Sequence, residues 1–547
     1  MDKGIEKPID FGGGDPEKVV YKKLRAPSLN GEALQVPLLS KVENLWQANL
    51  RRITEASSTR FDRPLKEIQA LGRAELINKA LTYSAAYLDE MPSVTSQNVI
   101  MSGHQPELFH PGVWYKNFAL SELGVRQNAF AINLIIDTDI CAHPSVSFPC
   151  VLGNESDWKE TQLERVAMDA RAEEVPYEFR PVIDRKLFES FGARLIRRFC
   201  HGESPCLINR LWNHVNIAAS RLNNRSGTGL GQLVAAGRHR LEVEYGLRTL
   251  EVPISHLAET SAFACFFKSI LSAANEFRLI YNSVLDDYRR VYRIRSKCHP
   301  LPKLAEEDGW IEVPFWIWSD VECRRQRLYV RLRKDQILLS NLSGWGFSCP
   351  LADADEQVTE LRKSGILIRP RALTITLFSR LILSDLFLHG IGGSKYDQLT
   401  DLIAKRFFEV RLPGFQTLTA TMKLSNSFDL VSQSELTELD REIRELKFHP
   451  ERFIEDPTEL VANLIAQKQS LAFGKSAFPR TRERHVAIGR LNRQLAGYAQ
   501  PEADLIKQRR ADREEKKLAS KILSSREFSF CLFDSSVMDD LKQLASL

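Results

Sequence analysis

The stretch that decides the fold is VIMSGHQPELFHPGVWYKNFALSELGVRQNAFAINLIIDTD, residues 99–139. It begins with a short apolar run that ends at Ser102-Gly103-His104. A segment with helical spacing follows over residues 112–123, and residues 130–136 form a second apolar run that ends in Asp137-Thr138-Asp139. Strand, loop, helix and strand in this order predict a βαβ unit of a parallel sheet, with polar residues at the strand ends.

The loop after the first predicted strand carries candidate catalytic residues. Gly103 lets the backbone approach a ligand closely, and His104 and Gln105 follow at the carboxyl end of the strand, where open α/β sheets bind ligands. His110 precedes a Pro-Gly turn into a helix whose first amides could receive a phosphate, and Lys116 lies one turn further on. We predict catalytic roles for His104, His110 and Lys116, with the imidazoles stabilising charge on a transferred group, and binding roles for Gly103 and Gln105. A structural turn, with imidazoles bonded to backbone carbonyls, is the alternative.

Two aspartates close the second predicted strand. Asp137 and Asp139 could hold a ribose hydroxyl, an amine or Mg²⁺, and we include both among the substrate- or nucleotide-binding residues. Solvated carboxylates at a strand end explain the pattern equally well. No set of metal ligands is predicted, and a requirement for Mg²⁺ stays open.

A second constellation lies in ILIRPRALTITLFSRLILSDLFLHGIGGSKYDQLTD, residues 366–401. The pattern predicts a strand at 366–368, a helix, a glycine turn and another helix at 394–407. Guanidiniums at a strand end are suited to grip phosphate or carboxylate, and HGIGGSK has the composition of an anion nest without the spacing of a Walker A loop. The predicted substrate- or nucleotide-binding residues here are Arg369, Arg371, His389, Gly390, Gly392, Gly393, Lys395, Tyr396 and Asp397. Asp397 is equally well explained as an acidic residue favoured by the helix dipole.

Composition excludes the extremes. The chain has 547 residues, 43% of them apolar, with 75 Lys+Arg against 70 Asp+Glu and a net charge of +5. This argues against a collagen-like or globally disordered chain, and the charge is too weak to predict nucleic acid as a partner. No run of 18 apolar residues predicts a membrane span, and the first residues lack the apolar segment of a signal peptide. Nine cysteines without a CxxC pair favour reduced thiols and a cytoplasmic location.

The changes of pattern along the chain predict five segments. They are an N-terminal leader with helices (1–95), the first part of the core (96–150), an inserted mixed α/β region (151–360), the second part of the core (361–425) and a helical arm with a tail (426–547). In the arm, Leu436, Leu439, Ile443 and Leu446 have 3-4-3 spacing, which predicts an antiparallel hairpin or coiled coil used for homodimerisation. A solvated helix pair packed on its own core is the alternative. Charges of both signs interleave over 502–526, which argues against nucleic-acid binding there.

The two constellations resemble motifs of the cysteine-adding enzymes, or cysteine ligases, of bacillithiol biosynthesis. That family has a TGQQ-type turn, a GPLYTxxK-like stretch and a DHD-type motif, and the similar segments here are SGHQ (102–105), HPGVWYK (110–116) and DTD (137–139). Its later LRP strand and GGPGEIAYW-like loop resemble IRP (368–370) and GIGGSKY (390–396). His104 stands where the family has Gln, and Ser-Lys follows Gly393 where the family has Pro-Gly-Glu-like residues. These departures concern the substrate more than the fold.

The resemblance implies an α/β fold: a Rossmann-like nucleotide-binding core with inserted regions and a C-terminal coiled-coil arm that dimerises. It also implies a reaction that joins cysteine to the amine of glucosaminyl-malate after activation of a carboxylate. Our interpretation is a ligase or nucleotidyltransferase-like enzyme that acts on a phosphorylated or carboxylate-bearing small substrate with a nucleotide such as ATP or ADP. The alternative is a non-catalytic ligand-binding or scaffold protein that dimerises through its arm.

Overall fold

The structure is a computed structural model that describes residues 18–141, 144–151, 161–199, 206–222, 228–424, 433–473 and 482–546. The chain divides into two units. Unit 1 comprises Met1–Ser147, Arg165–Met422 and Arg526–Leu547, and unit 2 comprises Phe148–Glu164 and Lys423–Ser525. The first part of the predicted N-terminal leader, residues 1–17, lies outside the described residues.

Strands are concentrated in unit 1. In chain order the described strands are β1 (Glu32–Val36), β2 (Val99–His104), β3 (Phe130–Ile135), β4 (Ile140–Cys141), β5 (Ser145–Val151), β6 (Thr161–Ala167), β7 (Val175–Pro176), β8 (Leu250–Pro253), β9 (Glu306–Glu307), β10 (Trp310–Ser319), β11 (Gln326–Arg333), β12 (Gln336–Ser340), β13 (Gly346–Pro350), β14 (Ile366–Pro370), β15 (Leu386–His389) and β16 (Phe415–Thr421).

Helices occur throughout the described chain. They are α1 (Val42–Glu55), α2 (Leu65–Ser84), α3 (Pro111–Arg126), α4 (Arg185–Glu189), α5 (Phe191–Phe199), α6 (Ile208–Leu222), α7 (Leu230–Glu244), α8 (Ile254–Leu257), α9 (Ser261–Leu271), α10 (Ala274–Tyr292), α11 (Ala354–Lys363), α12 (Ala372–Phe378), α13 (Ile391–Ile403), α14 (Gln433–Phe448), α15 (Glu459–Phe473), α16 (Arg482–Tyr498), α17 (Gln500–Leu523) and α18 (Ser536–Ala545). Two π-helical turns, Ser379–Leu383 and Ala404–Phe408, continue α12 and α13. Among the helices described, none is long and apolar enough to cross a bilayer.

A six-stranded sheet with the order β1-β16-β15-β2-β3-β8 forms the centre of unit 1. Strands β16, β15, β2, β3 and β8 run parallel, and β1 pairs antiparallel with β16 at one edge. The pairing of β2 with β3 runs from Val99 opposite Phe130 to His104 opposite Ile135, and α3 connects the two strands. The predicted α/β class and the βαβ unit are therefore confirmed.

The order of the parallel strands reverses between β2 and β15. From β2 the chain continues through β3 to β8 on one side, whereas β15 is followed by β16 on the other side. Helix α3 begins just after the carboxyl end of β2, and α13 begins just after that of β15. In open α/β sheets such a switch point leaves a crevice in which ligands bind.

A second, antiparallel sheet has the order β13-β12-β11-β10-β14, with β9 paired to β10. The prediction that the strand at 366–368 belongs to the core is wrong, because β14 pairs with β10 in this second sheet. The core strands of this part of the chain are instead β15 and β16, which the sequence reasoning did not assign. Helix α13 begins at Ile391 rather than at 394, so Gly392 and Gly393 lie in its first turn.

Unit 2 contains the predicted helical arm. Helix α14 packs against α17, and α15 packs against α16. Leu446, Ala499 and Ile506 form a small core, with Leu439 and Ile443 packed against it. The predicted apolar face of α14 thus lies within the arm, and homodimerisation stays a prediction.

The end of the chain differs from the predicted arm segment, because Arg526–Leu547 belongs to unit 1. The ring of Phe530 lies 4.1 Å from that of Trp114 on α3, and its backbone N–H donates to Phe109. Helix α18 also packs on α3. The tail therefore completes the packing around the helix that follows β2.

Candidate functional site

A cavity of about 670 Å³ lies in unit 1 at the carboxyl ends of β2 and β15. It brings together most of the two predicted constellations. The predicted residues in its wall are Gly103, His104, Gln105, His110, Lys116, Asp139, His389, Gly390, Gly392, Gly393, Tyr396 and Asp397. Four predicted residues do not line it: Asp137, Arg369, Arg371 and Lys395.

Lys116 is a buried cation in the wall of this cavity, and only 4% of its surface is exposed. Its Nζ donates to the carbonyl oxygen of Gly103 at 2.9 Å, and no carboxylate of the described residues pairs with it. Burial lowers the pKa of Lys116 to about 8, and the nearby Arg238 guanidinium adds to the shift. A buried ammonium without a counter-ion is unfavourable, so an anion in the cavity would stabilise its charged form.

His104 is the last residue of β2. Its Nδ1 lies 2.9 Å from the carbonyl oxygen of Gln105, and its ring meets Phe109 edge to face. Burial, with Lys116 adding to it, lowers the pKa of His104 to about 3, so the imidazole is neutral at pH 7. Because a carbonyl only accepts, Nδ1 carries the proton and Nε2 keeps a lone pair. His104 therefore has the protonation state of a general base.

His110 caps α3 and has the opposite tautomer. Its Nδ1 accepts from the backbone N–H of Gly112 at 3.0 Å, which leaves the proton on Nε2, 3.5 Å from Glu527. Burial, together with Arg526 and Lys116, lowers the pKa of His110 to about 4. A neutral imidazole that presents an N–H can donate to a phosphate or carboxylate oxygen without adding a charge.

Space at this helix start is limited. A Cβ on Gly112 would lie 2.2 Å from the carbonyl oxygen of Ala420 and 2.5 Å from Nη2 of Arg526, so only glycine fits. Arg526 donates to Thr419 at 2.9 Å and to Thr421 at 3.3 Å. It lines the cavity but lies in the C-terminal segment, far from both motifs, where no sequence signal pointed to it.

The other wall is the start of α13. Gly390 is its N-cap, and the amides of the first turn have no partner within the helix. A Cβ on Gly392 would meet open space, whereas one on Gly393 would lie 2.7 Å from Nδ1 of His389. The starts of α3 and α13 both contribute to the cavity wall, but only α13 has first-turn amides without a partner among the described residues. The prediction that the first amides of α3 receive a phosphate is wrong, because Pro111 has no N–H and the N–H groups of Gly112 and Val113 donate to His110.

His389 is held by a carboxylate. Its Nε2 lies 2.8 Å from Oδ2 of Asp397, which also accepts from Arg380. Burial by itself raises the pKa of Asp397, but Arg380 and His389 hold it well below the usual range. The Asp397 carboxylate therefore orients His389 and is itself neutralised, so it does not oppose an anion in the cavity.

The aspartates after β3 have protein partners. Asp139 accepts from the Gln105 amide at 2.8 Å and lies 3.6 Å from Arg325. Asp137 accepts from the backbone and hydroxyl of Ser255, and burial, with Glu178 adding to it, raises its pKa. Within the described ranges no group of three or more His, Cys, Asp and Glu side chains is arranged to hold a metal ion.

Arg369 and Arg371 correct the sequence interpretation, because both pair with carboxylates; Arg369 lies in β14 of the second sheet and Arg371 is the N-cap of α12. Arg369 makes a two-point pair with Glu178 at 2.6 and 3.1 Å. Arg371 pairs with Glu312 at 2.7 Å. These contacts assign both guanidiniums a structural role rather than that of anion clamps in the cavity.

Part of the cavity wall is apolar. Ile136, Leu301, Leu373, Ile375 and Phe387 contribute to its wall. The sequence reasoning did not identify this surface, because its members come from separate elements. A ligand with an anionic end and an apolar or flat part would match both surfaces.

No family model matches the chain, and a search of curated proteins finds no significant similarity. The class that the fold and the cavity define is an α/β protein with a cavity at the switch point of its parallel sheet.

Proposed function

We propose that this protein is an enzyme that binds a nucleotide or another phosphorylated small substrate at the switch point of its parallel sheet. The observation that carries the proposal is Lys116, buried in the cavity wall without a carboxylate partner among the described residues. A phosphate group would supply the missing negative charge and would accept from the amides at the start of α13.

The strand order supports a nucleotide as the ligand. Read from β8 through β3, β2, β15 and β16, the parallel strands have the order of Rossmann-type sheets, which bind dinucleotides at the reversal. In the proposed complex the phosphates contact Lys116 and the start of α13. The apolar wall around Leu301 and Leu373 takes the base or another flat part of the substrate.

The proposed reaction is of the ligase or nucleotidyl-transfer type, including cysteine ligation. Three segments resemble the cysteine-adding enzymes. Residues 102–105 end β2, and residues 137–139 and 390–396 follow β3 and β15, and the carboxyl ends of these strands lie at one edge of the sheet. In the proposed reaction a carboxylate oxygen attacks the α-phosphorus of ATP and pyrophosphate leaves, and an amine then attacks the carbonyl carbon of the acyl adenylate and AMP leaves. His104 accepts the proton that the amine loses, while His110 and Lys116 donate to the oxygens on which charge develops. The resemblance of 368–370 gives no support, because that strand lies in the second sheet.

Calorimetric titration with ATP, ADP and pyrophosphate tests the binding step. Lys116→Met removes the charge and nearly preserves the volume, and it is expected to weaken binding by about 10- to 100-fold, the value of a hydrogen bond to a charged group. Lys395→Met is the matched control, since Lys395 lies in the same helix turn as Tyr396 but outside the cavity wall. Equal affinity in wild type and Lys116→Met, or equal loss in both variants, would contradict the proposal.

Single-turnover measurements test the chemistry. Wild type is given ATP, cysteine and an amino-sugar malate, and nucleotide products are quantified. The proposal expects turnover that His104→Ala abolishes while nucleotide binding and fold survive. Binding without any nucleotide breakdown would instead favour a non-catalytic ligand-binding protein.

A further inference from the structure

Two segments beside the cavity are rich in cations and contain no acidic residue. Residues 18–25, KVVYKKLR, contain four Lys or Arg, and residues 289–297, RRVYRIRSK, contain five. These nine cations exceed the net charge of +5 of the whole chain, so their charge is balanced elsewhere in the sequence. A local excess of this kind creates a positive field that the total does not reveal.

The two segments adjoin each other. The Tyr292 hydroxyl accepts from the backbone N–H of Lys22 at 3.0 Å, and the rings of Tyr21 and Tyr292 lie 5.1 Å apart. Each segment also leads into the cavity wall, the first through Ala26 and the second through Pro300 and Leu301. They form one surface, which we call the rim patch.

Most of the cations in the rim patch are uncompensated. Arg289 donates to the carbonyl oxygens of the 297–301 loop, and Arg290 pairs with Asp287. Asp286, the other carboxylate nearby on α10, pairs with Lys303. Six exposed cations have no carboxylate partner in the described part of the chain: Lys18, Lys23, Arg25, Arg293, Arg295 and Lys297.

Aromatic rings accompany these cations. Tyr21 is 61% exposed and directly precedes Lys22 and Lys23. His299 is exposed, and its ring lies 6.1 Å from that of Tyr396. Cations that follow a backbone, with exposed rings on which bases stack, are the two components of surfaces that bind single-stranded nucleic acid.

We propose that the rim patch binds the phosphodiester backbone of a single-stranded nucleic acid, with Tyr21 stacking on a base. Six uncompensated cations are more than one nucleotide can neutralise, which favours an extended polyanion. An exposed tyrosine favours unpaired bases, because the faces of bases in a duplex are already stacked. The proposal goes beyond the proposed function and does not depend on what the cavity binds.

Fluorescence anisotropy with labelled 12-nucleotide oligo-U and oligo-dT, from 25 to 200 mM KCl, tests the rim patch. Six phosphate contacts predict a slope of log affinity against log salt of about −4 for wild type. Arg293→Glu with Arg295→Glu removes two contacts, so the slope should become shallower by about 1.4. Tyr21→Ala should weaken binding at least about fivefold, the low end for loss of base stacking, with the slope unchanged.

The matched control is Arg333→Glu with Lys334→Glu, the same charge change at the exposed end of β11 and the turn that follows it. It should leave affinity within twofold of wild type. The proposal is overturned by no binding at 25 mM salt, by equal losses in both double variants, or by a duplex or poly-glutamate binding as tightly as the single strand. Lys116→Met should bind the oligonucleotides like wild type, which separates this proposal from the nucleotide site.

Discussion

The arginines of the second constellation and the lysine of the first are largely removed from water but differ in their counter-ions. Arg380 lies between Asp397 and Asp401, and Arg369 and Arg371 likewise face carboxylates. Lys116 is 4% exposed, and within the described part of the chain its side chain bonds only to a backbone carbonyl. Buried charges normally have partners, so the comparison separates cations that stabilise the fold from one that is available to a ligand.

The largest expected effect comes from breaking a paired cation. Arg380→Ala leaves Asp397 buried without its main counter-ion, and we expect unit 1 to lose about 3–5 kcal/mol of unfolding free energy. Urea denaturation followed by tryptophan fluorescence measures this loss, because nearly all tryptophans lie in unit 1. The exposed Arg333→Ala is the control, expected to change stability by less than about 0.5 kcal/mol. A loss below about 1 kcal/mol for Arg380→Ala would remove the distinction between the two regions.

This contrast also shows what the sequence could predict about the site. Arg369 and Arg371 looked like anion clamps because they flank a strand end. Their partners, Glu178 and Glu312, lie 191 and 59 residues away in the sequence, so no local sequence pattern could predict the ion pairs. The proximity of Lys116 and Gly103 was predictable because both belong to one βαβ unit, in which the carboxyl end of the strand lies next to the start of the helix.

The fold shows the same division. The strands β2 and β3 and helix α3 follow from apolar runs and spacing within 40 residues. The strands β15 and β16 were missed, because β15 has only four residues and directly follows Ser384 and Asp385. Asp385 accepts from the backbone N–H of Val99 at the start of β2, a long-range contact that fixes this short strand in the sheet.

The next effect in size concerns the unpaired cation. In the folded protein the pKa of Lys116 is about 8, below its ordinary value of 10.5, so between these pH values the unfolded chain binds more protons. Wild-type stability therefore rises with pH in this window. Lys116→Met has no group that titrates at this position. Its free energy of unfolding minus that of wild type should therefore fall by about 2 kcal/mol between pH 7 and pH 10.

Parallel denaturation series of the two proteins measure this difference, and the other titrating groups cancel in the subtraction. Lys395→Met, which removes a half-buried lysine outside the cavity wall, serves as the control for the loss of a lysine. If the free energy of unfolding of Lys116→Met differed from that of wild type by the same amount at every pH, Lys116 would have a counter-ion, as the arginines do.

The smallest effect concerns the imidazole that caps α3 beside Lys116. His110→Ala removes the acceptor for the Gly112 N–H and should lower stability at pH 7 by about 1 kcal/mol, the usual value of an N-cap. His110→Asn keeps an acceptor and should retain most of that stability.

Because the pKa of His110 is lowered to about 4, the folded state resists protonation, and wild-type stability falls as pH decreases from 6.5 towards 4. His110→Asn cannot titrate, so its acid limb should be flatter than that of wild type. An unchanged acid limb would show that His110 is not the neutral cap, and the contrast with the paired arginines would then rest on Lys116 alone.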